Sequence, residues 1–299
     1  MRQALGFVFV LLAGVGFGFL GIFGRLAFQS GLTVGELLTY RFIIATLLLL
    51  IGLLVFKPRL ILLSKKSLVM SVLLGLFGYA VFSTLYFKSI EGISVALAAL
   101  LLFTFPLFVN LGAHFILKER MSKLQVLSLC LACVGLAILL WGPIVVNSLE
   151  AVLFAVTAAV TYSAYVLISG HYQKDVHPLS SSFYVITSAA AALLVFHQPS
   201  LPKFFTLSSS QQLLILGIAI VSTIAPLTLF LAGLQRLSSA KASVVVMVEP
   251  VVAAIAAWFI LDEKLTTTQL AGAVLVVVAL VINALSPTGK KRLESEFLS

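Results

Sequence analysis

The sequence predicts an all-α polytopic membrane protein in which ten transmembrane helices form two inverted five-helix repeats. Three observations carry that reading. The chain is 61% hydrophobic and only 10% charged, against about 45–50% apolar in soluble domains. Its apolar runs follow one another at close to the ~20 residues needed to cross a bilayer's hydrocarbon core. Its two halves also match each other at an offset of 144 residues. A β-barrel is excluded, because barrel strands alternate apolar and polar residues and these runs are apolar all round. Ten such segments use roughly 200 residues, which leaves short loops and no room for a soluble catalytic domain.

Charged, proline and glycine breaks delimit the helices in order. The first run, 4–28, follows Met1-Arg2-Gln3 and continues past Gly24 without a small-residue cleavage site. It therefore reads as an uncleaved helix, not a signal peptide. Lys57-Pro58-Arg59 ends the second run, 35–56, and Lys65-Lys66 precedes the third, 67–88. The fourth, 93–117, stops at Lys118-Glu119-Arg120, and the fifth, 123–141, stops at Gly142-Pro143. The sixth covers 148–170; Pro178 opens the seventh, 178–197, and Pro199 and Pro202 follow it. The eighth, 209–234, ends before Arg236, the ninth, 239–261, before Asp262-Glu263-Lys264, and the tenth covers 266–286. The expected units are a first repeat over 1–146, a second over 147–286 and a cytoplasmic tail over 287–299, whose Lys290-Lys291-Arg292 would anchor at an anionic surface.

The formal net charge of +9 reports topology and not nucleic acid, because the cations are scattered through short loops instead of gathered into a basic domain. With both termini inside, fourteen Lys and Arg fall in cytoplasmic segments and three, Lys88, Lys203 and Lys264, outside. That bias places the N and C termini in the cytoplasm of a multi-pass protein of the cytoplasmic (inner) membrane. Trp141 and Trp258 then fall at outer helix ends, where aromatic rings favour the headgroup level. Cys130 and Cys133 lie within an apolar run without the turn or further ligands that redox or zinc chemistry needs, and read as packing.

The repeat is legible residue by residue. Phe115-Ile116-Leu117-Lys118-Glu119-Arg120 meets Phe259-Ile260-Leu261-Asp262-Glu263-Lys264, Pro106 meets Pro250, Gln125 meets Gln269, Ser94 meets Ser238 and Tyr40 meets Tyr184. Five helices per repeat is an odd number, so the second copy enters the membrane from the opposite side. Inverted repeats of this kind support alternating access to a site near the bilayer midplane.

These strings, with Ile93-Ser94-Val95-Ala96, Phe105-Pro106-Leu107, Leu237-Ser238-Ser239-Ala240 and Val248-Glu249-Pro250-Val251, resemble the EamA branch of the drug/metabolite transporter superfamily over about residues 4–286. Tyr40-Arg41-Phe42 also resembles the family's helix-2 arginine. The resemblance implies secondary transport of small metabolites, often export of amino acids or related compounds, through a cavity between the repeats with helices 4 and 9 near its centre. The first repeat carries Phe105 where the second carries Glu249, so any role of that acid belongs to one half only.

Glu249 lies about nine residues into its helix, roughly 13 Å at 1.5 Å per residue, close to the midplane. An acid at that depth costs of order 3 kcal/mol and needs a cavity or a partner. It can bind a substrate ammonium, carry a proton, or serve packing beside Pro250. Pro106 and Pro250 each free a carbonyl one turn earlier, which points to paired kinks at the site or to packing bends. Arg41 can hold a substrate carboxylate in two parallel hydrogen bonds, or pair structurally with Glu36. Asn110 and His114 share a face of helix 4 with Phe103 and Pro106. Tyr79, Ser83 and Tyr86 on helix 3, and Tyr162, Tyr165 and Ser169 on helix 6, form stripes that suit a flat substrate or interhelical hydrogen bonds. Gly14, Gly18 and Gly21 on helix 1 form a small-residue stripe suited to close packing, within the chain or in a homodimer.

No nucleotide-binding, metalloprotease or nucleophile-elbow motif and no metal cluster appears, so no cofactor, no metal and no enzyme activity are expected. The sequence therefore points to a secondary transporter of a small amphipathic metabolite embedded in the lipid bilayer, as a monomer or homodimer, with no nucleic-acid partner. Export is the expected direction, with proton coupling through Glu249 as an option. Import of a nucleoside-derived or vitamin-like compound is the alternative, and a channel or scaffold is the alternative of another class.

Overall fold

The computed structural model describes residues 2–119, 121–142, 146–262 and 264–286. The expected basic tail, with Arg120 and Glu263 of the loop strings, lies outside the described residues. Among the described residues the helices are α1 (Arg2–Gln29), α2 (Val34–Phe56), α3 (Lys65–Gly92), α4 (Val95–Phe115), α5 (Lys123–Leu139), α6 (Leu149–Tyr172), α7 (Pro178–His197), α8 (Ser209–Leu234), α9 (Ser239–Leu261) and α10 (Thr267–Leu285). Nine are long and apolar enough to cross a bilayer. The tenth, α5, has 17 residues, about 26 Å at 1.5 Å per residue.

The helices start where side-chain oxygens can take up free backbone N–H groups, and the starts recur at the 144-residue offset. Ser64 caps α3 as Ser208 caps α8, and Ser94 caps α4 as Ser238 caps α9. Ser122 and Thr266 open α5 and α10 with reciprocal capping boxes to Gln125 and Gln269. The chain leaves α4 at Lys118 and α9 at Asp262 with nearly equal positive φ, 53° and 55°. These local rules are duplicated because the fold is.

Packing obeys the same exchange. α1 packs on α8 as α6 packs on α3, α1 meets α9 as α6 meets α4, and the pairs α2–α7, α4–α9 and α5–α10 map onto themselves. The α5–α10 pair is held by small residues: a Cβ on Gly272 would lie 2.4 Å from the Leu139 nitrogen and 2.7 Å from the Gly135 carbonyl. Ser128 Oγ donates to the Ala279 carbonyl across that seam (2.9 Å). At the 144-residue offset, Ser128 is the counterpart of Gly272 and Ala279 that of Gly135.

One shared feature was not legible in the apolar runs. Leu74–Ala80 within α3 and Ile220–Ile224 within α8 are π-helical turns at equivalent depth. Pro226, which has no proline counterpart, follows the second of them. Wide turns of this type are frequent at functional sites, and the first of these carries Tyr79.

Candidate substrate site

The site is built where α2, α3, α4, α6 and α9 meet. α4 and α9 are each broken at mid-length: Phe103 and Thr104 form a turn, Val246–Val248 a 3-10 segment, and new helical segments begin at Phe105 and Glu249. Pro106 and Pro250 are the second residues of those segments, a position that needs no N–H donor. The prolines therefore open half-helices within the membrane depth. Glu249 occupies the first turn of its half-helix, where the free N–H groups and the positive dipole end favour an acid.

α1 approaches this break closely. A Cβ on Gly18 would sit 2.8 Å from the Glu249 carbonyl, and one on Gly14 2.4 Å from a Val248 methyl, while Gly21 has open space. In the other repeat the positions equivalent to Glu249 and Gly18 are Phe105 and Tyr162, whose rings lie 4.7 Å apart. Where one half sets two aromatic rings edge to face, the other leaves an acid beside a glycine. The Glu249 carboxylate makes no hydrogen bond or ion pair among the described residues. Tyr79, Tyr86 and Tyr162 lie within electrostatic reach of it.

The tyrosines form one aromatic body. Tyr162 and Tyr165 stack with planes 7° apart and centroids 5.9 Å apart, and Tyr79 meets Tyr165 edge-on at 5.7 Å. Phe82 lies 4.7 Å from Tyr162, and Phe42 lies 5.5 Å from Tyr79. Sequence reasoning passed over Phe42 and Phe82, although Phe82 follows Tyr79 at the i+3 spacing that shares a helix face. Ser83 is 2% exposed and its hydroxyl has no partner among the described residues.

Arg41 adjoins this body at Phe42 and Tyr79. It is 2% exposed, its guanidinium lies 4.8 Å from the Phe42 ring centroid, and Tyr79 is within its electrostatic reach. Nε and Nη1 have no hydrogen-bond partner among the described residues. The structural pairing with Glu36 does not form: Glu36 bonds Lys203 at 2.5 Å and closes the Thr33 capping box. A guanidinium with two unpartnered nitrogens and an acid without a hydrogen-bond partner thus both reach Tyr79 of this cluster, an arrangement that can take up a carboxylate and an ammonium of one ligand beside an aromatic wall.

The remaining candidates divide. Asn110 is buried; its amide donates to the Pro106 carbonyl (2.7 Å) and to Ser243 Oγ on α9 (3.4 Å), so it joins α4 to α9 beside the breaks. His114 is exposed near the end of α4, against the Glu119 carbonyl at 3.2 Å, and does not join the cluster. Two cavities open at the end where the cation-rich loops lie. One of about 490 Å³ is lined by the α6–α7 loop and the end of α8. The other, about 610 Å³, lies between the end of α4, α6 and the start of α9.

Comparison with known proteins agrees with this architecture. The chain matches the EamA-like transporter family twice, over residues 4–141 and 149–285. It is 28% identical to the uncharacterized transporter YcbK of Bacillus subtilis over 91% of this chain and 90% of that one. An uncharacterized transporter of Archaeoglobus fulgidus is 29% identical over 69% of this chain and 75% of its own. A probable amino-acid metabolite efflux pump of Salmonella typhimurium is 27% identical over 77% and 82%. A solved crystal structure shares the fold with a TM-score of 0.73 at 20% identity, covering 100% of this chain and 98% of that one. Two family matches, one on each five-helix half, place this multi-pass membrane protein in the EamA-like transporter family.

Proposed function

We propose that the chain is a secondary transporter that exports a small amphipathic metabolite, an amino acid or related compound, by alternating access. The observation that carries this reading is the pair of ionisable groups, Arg41 with two unpartnered nitrogens and Glu249 without a hydrogen bond, that both reach Tyr79 of the Tyr79–Tyr162–Tyr165 cluster. A buried guanidinium without partners costs several kcal/mol, and a ligand carboxylate returns part of that cost when it binds. Glu249 supplies the counter-charge for an ammonium, or carries a proton that exchanges with it. The repeats at 1–146 and 147–286 rock about the site, and the broken helices α4 and α9 absorb the change. The cation-rich end faces the cytoplasm, and it is the end from which a cytoplasmic metabolite would enter. The probable efflux pump among the relatives supports the outward direction.

Reconstituted liposomes preloaded with pools of amino acids, nucleoside derivatives or cationic dyes test this reading by counterflow. Exchange of an amino-acid-like pool is expected, with Glu249→Gln reducing it at least about tenfold, the effect of roughly 1.4 kcal/mol. Exchange of that pool unaltered in Glu249→Gln removes the acid from the site. Steady single-channel currents in a planar bilayer would replace the carrier by a channel.

A further inference from the structure

One break of the repeat symmetry lies at equivalent positions at opposite ends of the bundle. The α2–α3 connector and the α7–α8 connector are counterparts: Pro58-Arg59 in one meets Pro202-Lys203 in the other at the 144-residue offset. Each contains a short helical turn, Pro58–Ile61 and Lys203–Thr206. Each is strapped to the other repeat by a tyrosine, since Tyr184 donates to the Ile61 carbonyl (2.6 Å) and Tyr40 to the Ser200 carbonyl (2.7 Å). The two straps run from equivalent tyrosines to equivalent connectors, at carbonyls that are not themselves counterparts.

The charges at these connectors are not equivalent. Lys203 donates to Glu36 across the repeats at 2.5 Å, with the Glu36 side chain 10% exposed. The counterpart of Lys203 is Arg59, and that of Glu36 is Ser180. Ser180 is 0% exposed with an unpartnered hydroxyl, and Arg59 has no ion pair among the described residues. Lys57 adds its charge near His177 at the same end. One end of the molecule thus closes with an ion pair between the repeats, and the equivalent positions at the other end, Arg59 and Ser180, form none among the described residues. Two cavities open at the second end.

We propose that Glu36 and Lys203 form a one-sided latch that holds the end away from the cation-rich loops shut, so that the unloaded carrier rests with its site accessible from the cation-rich end. In an inverted-repeat carrier the two open states are related by a pseudo-two-fold rotation that exchanges the repeats, and an ion pair present at one end only shifts their ratio. For a half-exposed ion pair the expected bias is about two- to fivefold in population. The inference rests on the alternating-access reading. It adds which side waits for substrate and which residues make it wait.

Distance distributions between spin labels test it without substrate. With Cys130 and Cys133 replaced by Ala, one labelled pair at Glu91 and Leu201 reports the latched end, and a second pair at Leu62 and Tyr172 reports the other. Glu36→Gln, which keeps the capping box, is expected to raise the long-distance population at the latched end two- to fivefold. Lys203→Gln should do the same, and the charge reversal Glu36→Lys with Lys203→Glu should restore the parent distribution. Ser180→Glu, facing Arg59, should shorten the distances at the other end. Because Ser180 is fully buried that variant can fail to fold, and the Glu36, Lys203 and reversal variants decide the matter without it. Unchanged distributions in both Glu36→Gln and Lys203→Gln overturn the latch, as does a reversal variant no closer to the parent than its singles. Shifted distances with no counterflow of any pool keep the latch and overturn the export reading alone.

Discussion

At the scale of single residues, the chemistry of the chain is concentrated in charges that the fold leaves unsatisfied. Arg41 offers five N–H donors, and two of its nitrogens meet nothing among the described residues. Such a group is expensive for folding, so its removal should stabilise the empty protein while disabling it. Arg41→Met, which keeps much of the side chain's length, is expected to raise the apparent melting temperature in detergent by about 2–4 °C per kcal/mol recovered. It should also cut counterflow of a carboxylate-bearing substrate at least about tenfold. A lower melting temperature with normal exchange would make Arg41 a structural residue. Both intramembrane charges were legible in the sequence, because Arg and Glu stand out in apolar runs. The partner of Glu36 was not, because Lys203 lies 167 residues away and only the antiparallel arrangement of the repeats brings the two together. His114 shows the converse: helical spacing places it on the face of Asn110, yet α4 has left the cluster by that turn.

At the scale of elements, helix ends were legible and helix interiors less so. Polar caps, prolines and cations mark the ends because water or headgroups begin there. Nothing in an apolar run announces a π turn, since it depends on neighbouring helices: in α3, a Cβ on Gly75 would come within 2.3 Å of the Val185 carbonyl. One cap carries a titratable switch. His177 opens α7, with Nδ1 accepting from the Leu179 N–H (3.3 Å), at the position where Thr33 opens α2. That bond requires the neutral ring with its proton on Nε2. Partial desolvation, reinforced by the Lys57 charge, lowers the His177 pKa below its ordinary 6.5. Lys174, Asp175 and Arg236 line the cavity it borders. The folded pKa lies below the unfolded one, so the cap is at full strength above about pH 6.5. It weakens as the pH falls from there toward the lowered value, because the uncapped ring takes up the proton first. Amide exchange at Leu179 to Ser181, corrected for intrinsic rates, should therefore accelerate between pH 7.5 and 5.5. In His177→Asn, which keeps a good capping side chain, it should stay level. An identical pH response in the variant would assign the effect elsewhere.

At the scale of the whole molecule, the duplication governs both what could be read and what the protein can do. The 144-residue offset aligned Tyr40 with Tyr184 as a mark of the repeat, and the structure gives that pair equivalent work at opposite ends. Each hydroxyl crosses from one repeat to a backbone carbonyl in the other's connector, at Ser200 and at Ile61. No inspection of one half reveals this, because each partner carbonyl belongs to the other half's connector and the two carbonyls lie five residues out of register. If the halves rock as equivalent bodies, removing either hydroxyl should move the same equilibrium in opposite directions. Each lost bond is worth about 0.5–1.5 kcal/mol, or roughly two- to tenfold in population. Tyr40→Phe is expected to lengthen the Glu91–Leu201 distance and Tyr184→Phe the Leu62–Tyr172 distance. The double variant should return the ratio of the two states toward the parent, although both closed ends are weakened. Two single variants that shift the distances in the same direction would show that the halves do not move as exchangeable bodies. Opposed shifts that cancel would tie the sequence repeat to the mechanism, since only a two-state motion symmetric under exchange of the repeats predicts cancellation between substitutions at opposite ends of the bundle.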